Sequence, residues 1–69
     1  MLNFTKKMIR ALEANPLKDF ASDCYYSGID EAEAVKLMME STELRKKLTD
    51  PDRIRFLNML RDIERENDV

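Results

Sequence analysis

The sequence predicts an all-α fold, a small bundle of four short helices over residues 4–14, 16–27, 30–48 and 51–65, with a glycine corner at Gly28. Three observations predict it. Apolar residues recur at spacings of three and four in four successive stretches, the signature of a helix with one buried face. Capping and breaking residues fall between those stretches. No useful length alternates with period two, so no strand is expected.

The first helix, Phe4 to Ala14, follows Asn3, a good N-cap. Phe4, Met8 and Leu12 form its stripe with Ile9 and Ala11 beside them, and Lys6, Lys7 and Arg10 lie on the other side. Asn15-Pro16 ends it, because a residue before proline is pushed out of the helical region. The same dipeptide is expected to start the second helix, Asn15 capping and Pro16 at the first helical position. Leu17, Phe20, Ala21 and Cys24 then follow at i, i+3, i+4 and i+7, flanked by Tyr25 and Tyr26.

Gly28 is the only glycine and can close the second helix in a left-handed conformation. Asp30 is placed to cap the third helix, with Glu33 completing a capping box. This is the longest helix expected. Val35, Met38 and Met39 continue the face begun by Ala32, but Leu44 and Leu48 fall on another side, near Leu37. Either the helix is unbroken and buries two faces, or it kinks near Glu40-Ser41-Thr42; an unbroken or mildly bent helix to about Leu48 is preferred. In the fourth helix Asp50 is expected to cap and Pro51 to take the first position. Phe56, Leu57, Leu60 and Ile63 form its stripe, with Ile54 and Met59 on the flanks. Residues 66–69 are expected to fray.

Sixty-nine residues make one domain, residues 1–69, and a chain this short buries only ~60% of its unfolded surface. With one cysteine and no histidine, neither an internal disulfide nor a structural zinc can support it. Oligomerisation is the expected remedy. Charged residues are 38% of the chain and nearly balanced, at net −2, while 43% hydrophobic residues suffice for a folded core. No apolar run approaches the ~20 residues of a membrane span, and Lys6, Lys7 and Arg10 interrupt any secretory signal. The expected location is the cytoplasm, with no membrane partner.

No catalytic site, metal or cofactor is expected. Cys24 has no histidine to activate it and sits in an apolar stripe. Asp30, Glu31 and Glu33 suit a helix N-terminus, and one glycine cannot make a phosphate loop. The second helix, Gly28 and the third helix do resemble a helix-turn-helix in outline. However, four carboxylates and one lysine between Asp30 and Glu40 would be repelled by DNA.

Two groups of residues remain as candidate sites. Tyr25, Tyr26, Leu37, Met38, Met39 and Leu44 form a candidate interaction surface, since methionine and tyrosine are enriched where proteins meet. Lys6, Lys7, Arg10, Arg45, Lys46, Lys47, Arg53 and Arg55 form a candidate basic patch, if its two halves converge. The expected function is that of a small intracellular protein–protein interaction module or regulator, binding as a homodimer. Accessory proteins of phages and plasmids are often of this style. The alternative is a nucleic-acid-binding regulator working through the basic patch.

Overall fold

Every apolar stripe needs a neighbour to cover it, and here five helices cover one another. The computed structural model describes residues 3–68. It comprises α1 (Phe4–Ala14), α2 (Leu17–Tyr26), α3 (Glu31–Glu40), α4 (Thr42–Lys47) and α5 (Asp50–Asn67). The fold is all-helical, with no strand among the described residues, but the helices number five rather than four.

The extra helix arises at Ser41. A single helix over residues 30–48 is not formed, because Ser41 is extended (φ −86°, ψ 115°) and separates α3 from α4. The cause is geometric. In one unbroken helix, Met38 and Leu44 would point about 120° apart, so both could not reach a single core. The extended residue turns the chain, and both side chains are buried. Ser41 supports the break chemically as well, since its Oγ accepts a hydrogen bond from the Leu44 N–H at 3.3 Å and so caps α4.

The other junctions follow capping chemistry, with two revisions. Asn3 caps α1, accepting from the Lys6 N–H at 3.2 Å. Asn15 does not cap α2. It is left-handed (φ 65°) and closes α1, a conformation asparagine tolerates better than most residues, which leaves Pro16 at the N-cap of α2. At the next corner Gly28 is left-handed (φ 83°), as expected. Its N–H donates to the Tyr25 carbonyl at 3.1 Å, and the Ile29 N–H donates to the Cys24 carbonyl at 2.9 Å. Those two bonds make a Schellman motif, with Ile29 folding back onto the core.

Asp30 caps α3 by accepting from the Glu33 N–H at 2.8 Å. The reciprocal capping box belongs instead to Thr49 and Asp52 at the start of α5. The N-cap there is Thr49, not Asp50, and Pro51 stands one place further in than expected. The helix then runs through Glu66 and Asn67, which were expected to fray. The Asn67 side chain donates to the Ile63 carbonyl at 2.8 Å and secures the last turn. Val69, the end of that expected tail, lies outside the described residues.

The main packing pair is α2 on α5. Helix α1 lies on α2, α4 bridges α1 and α3, and α3 lies along α5. The core draws on all five: Phe4, Met8 and Ala11; Leu17, Phe20, Ala21 and Cys24; Ala34 and Met38; Leu44; and Phe56, Leu60 and Ile63. At its centre the three phenylalanines meet pairwise. Ring centroids lie 5.2 Å apart for Phe4 and Phe20, 6.0 Å for Phe4 and Phe56, and 5.4 Å for Phe20 and Phe56. No polar or charged residue is buried among the described residues. Helix α3 runs antiparallel to α5, tied by Glu31 and Arg61 in a two-point ion pair (2.6 and 3.2 Å). That contact holds the Glu31 carboxyl below its ordinary pKa. It is exposed, so its effect on stability is small.

Two variants test this architecture. Phe56→Ala removes one fully buried ring of this triad, a change of a kind that costs ~3–5 kcal/mol. Small domains have little more than that to lose. Circular dichroism should show a largely unfolded chain at 25 °C, and a native helical spectrum would contradict the central role of the triad. For Gly28→Val, the space beside the Cα is open, so the whole effect is backbone strain. A β-branched residue held left-handed should cost more than ~1 kcal/mol, read as a lower melting temperature.

Candidate interaction surface

The residues singled out as an interaction surface fall into three classes. Met38 (2% exposed) and Leu44 (0%) are not surface residues: the break at Ser41 turns both inward. Leu37 and Tyr25 are half-buried and packed against the core. Tyr26 and Met39 are exposed, at 75% and 62%. Ile54, treated above as a flank, is 59% exposed. Its position was readable from the helical period, since it falls about 160° around α5 from Phe56, on the outer face.

Helix α5 divides these residues between its two ends. Tyr25 packs near the C-terminal end, lining a shallow depression with Arg61, Arg65 and Asn67. Its ring meets that of Tyr26 edge-on at 5.2 Å. Near the N-terminal end, Met38, Met39, Leu44 and Leu48 line a groove of about 240 Å³, with Arg45 and Arg53 completing it. Twelve residues of α5 separate Arg53 from Arg65, about 18 Å of helix. The tyrosine pair is therefore a separate feature from the methionine groove. The register of the α3–α5 pair explains how the groove is walled. Glu31 meets Arg61, so eight residues along the antiparallel pair Met39 comes opposite Arg53, and Ile54 is the next residue.

Four of the eight basic residues are paired with carboxylates. Lys7 pairs with Asp23 at 3.6 Å, Lys47 with Glu13 at 3.5 Å, Arg53 with Asp50 at 2.6 Å and Arg55 with Asp52 at 3.9 Å. Arg55 also donates to the Asn15 side chain at 3.5 Å. Lys6, Arg10, Arg45 and Lys46 have no ion pair among the described residues. Lys7 and Arg10 line a second groove together with Asp19 and Asp23, so its field is mixed. Lys47 does reach α1, but at Glu13, at the opposite end of that helix from Lys6 and Lys7. Of all these cations, Arg45 and Arg53 are the two that border the methionine groove.

The remaining candidates have structural tasks. Asp30 caps α3 and Glu31 holds Arg61. Cys24 is buried, and that burial, helped by Asp23 beside it, pushes its thiol up to about 12. Among the described residues, no three His, Cys, Asp or Glu side chains stand together as metal ligands would. No helix described is long and apolar enough to cross a membrane. The groove thus offers an apolar lining for one or two aliphatic side chains and the Arg45 guanidinium for a carboxylate. Comparison with known proteins returned no match among family models, curated proteins or solved structures.

The thiol provides a direct test. At pH 8 the folded protein holds Cys24 almost wholly protonated and out of solvent, whereas the unfolded chain, with a pKa near 9.0, has a reactive thiolate fraction. Labelling by a disulfide reagent should be at least ~100-fold slower in buffer than in denaturant. Equal rates would mean that Cys24 is accessible in the native state.

Proposed function

We propose that this chain is a small protein–protein interaction module or regulator of the cytoplasm, acting by binding and working as a homodimer. The observation that supports it is exposed Met39 on the wall of an otherwise apolar groove bordered by Arg45 and Arg53, with exposed Ile54 the next residue of α5 after Arg53. Large apolar side chains clustered on a small surface are favoured where another protein covers them. Methionine suits such a place because its flexible side chain adapts to what it meets. Binding also requires no reacting group, and the only thiol has its reactivity suppressed by burial.

The nucleic-acid reading has less behind it. It asks for a continuous field of free cations, and Lys7, Lys47, Arg53 and Arg55 are already engaged by carboxylates. Its test is a gel shift on random duplex at ~150 mM salt, where binding weaker than ~10⁻⁴ to 10⁻⁶ M is expected and submicromolar binding would favour that reading.

Sedimentation equilibrium tests the proposal directly. Between ~10 and 100 μM, a range that brackets modest interfaces, the wild-type mass should approach twice the 8.1 kDa of one chain. Met39→Glu alters an exposed side chain and should keep the helical spectrum while shifting the protein toward monomer. Leu44→Glu is unsuitable for this purpose, since a charge at that buried position would unfold the chain. A wild-type mass of 8.1 kDa throughout would remove the homodimer from the proposal.

A further inference from the structure

We propose that Ser41 is a one-residue hinge: the bent α3–α4 pair converts to a single helix over residues 31–47, and the conversion draws α4 and Leu44 away from α1.

Ser41 is the one residue between α3 and α4, and it caps both, as the C-cap of the first and the N-cap of the second. The helical ladder reaches it from either side. Its N–H donates to the Leu37 carbonyl at 3.2 Å, and its carbonyl accepts from the Arg45 N–H at 3.0 Å. Each is the i to i−4 bond of an α-helix. Its φ of −86° already lies in the helical region, and only ψ, at 115°, does not. Turning ψ to about −42° completes the helix. The Thr42 and Glu43 N–H groups, which have no intrahelical partner at the start of α4, then meet the carbonyls of Met38 and Met39. The Leu44 N–H exchanges the Ser41 Oγ for the Glu40 carbonyl.

The residues at the corners support a hinge at this one alone. Every other corner holds a residue that resists helix continuation: left-handed Asn15 followed by Pro16, left-handed Gly28, and Pro51 just beyond Thr49. Residues 31–47 contain neither glycine nor proline. The apolar pattern does not stop at the bend either. Ala34, Leu37, Ser41, Leu44 and Leu48 are spaced by three, four, three and four, a row that shares one face only if the helix is joined. The bent form is the main one because it buries Met38 and Leu44 together, at 2% and 0% exposed. The joined form gives up the burial of Leu44 and gains an uninterrupted backbone ladder. Since α4 packs mainly on α1 and α3, it can leave α1 while α2 stays on α5. Leu48 and Thr49 remain between the joined helix and α5, a loop length usual in helical hairpins.

Relaxation-dispersion and saturation-transfer NMR on the full, isotope-labelled chain tests the hinge on the timescale of such motions. At two protein concentrations, wild type is expected to show exchange at residues 41–44 with a minor state whose Ser41 Cα shift is helical, equally at both. Thr42→Pro favours an extended Ser41, as the residue before a proline prefers, and suits the first position of α4. That variant should keep the main-state spectrum and lose the exchange. Ser41→Ala removes the cap and favours helix, so the minor population should rise ~3-fold or more. A coil shift for Ser41 in the minor state, exchange that survives Thr42→Pro, or no exchange at these residues in wild type overturns the hinge. Exchange that grows with concentration reports association instead and overturns it too. Should either variant fail to fold, the wild-type minor-state shift still decides. The readout comes from within one chain, so its outcome is independent of the homodimer proposed above.

Discussion

The packing of Phe4, Phe20 and Phe56 is the constraint on which the rest of this molecule depends. These are all the phenylalanines in the chain, and they come from α1, α2 and α5, at well-separated points in the sequence. No disulfide holds those helices together, and the one cysteine is itself part of the core. Neither does a buried ion pair or hydrogen-bond network, since no polar residue is buried among those described. Dispersion and the removal of apolar surface from water therefore do the work, and aromatic rings supply more of both per side chain than any other residue present. Once α1, α2 and α5 are fixed by the triad, α3 and α4 have one remaining open side to cover. They supply it with Ala34, Met38 and Leu44.

Much of this was legible in the sequence where one residue type answers one local need. The glycine corner was readable because only a residue without a Cβ reaches φ 83° freely. The stripes of α1, α2 and α5 were readable because each repeats with the helical period for at least two turns. The start of α2 was misread because asparagine and proline each serve more than one role. Asn15 is acceptable both as an N-cap and as a left-handed closing residue, and its immediate neighbours do not decide between them. The same ambiguity displaced the cap of α5 from Thr49 to Asp50, one residue along.

The division between α3 and α4 shows where local reasoning reaches its limit. The phase difference between Met38 and Leu44 was visible, two explanations fitted it, and the unbroken helix was preferred over the kink that the structure shows. Choosing between them requires knowing that there is one core, not two, and that α1 and α5 leave room for only one direction of approach. That information is tertiary. The misplaced site residues follow from the same choice. With an unbroken helix, Met38 and Leu44 fall on two different faces, one of them left for a partner; with the break, both turn into the core and Met39 remains the exposed apolar residue of the groove they line. The pairing of the basic residues was illegible for a different reason. Spacing along a helix says which cations share a face, but not which carboxylates another helix will bring to meet them, as Asp23 meets Lys7 and Glu13 meets Lys47.

The short helix α4 has a consequence in time as well as in space. Six residues bounded by the extended Ser41 and Leu48 form barely more than one and a half turns, far below the length at which a helix holds itself together in water. Leu44 is the one residue of α4 in the core, and Ser41 supplies the side-chain cap. On length and core contribution this segment is expected to be the first helix to open, its amides exchanging with solvent through local excursions that leave α1, α2 and α5 closed. One wall of the methionine groove thus belongs to the shortest helix of the fold, while the opposite wall belongs to α5. A surface built in that way adjusts its width on a faster timescale than the frame beneath it unfolds.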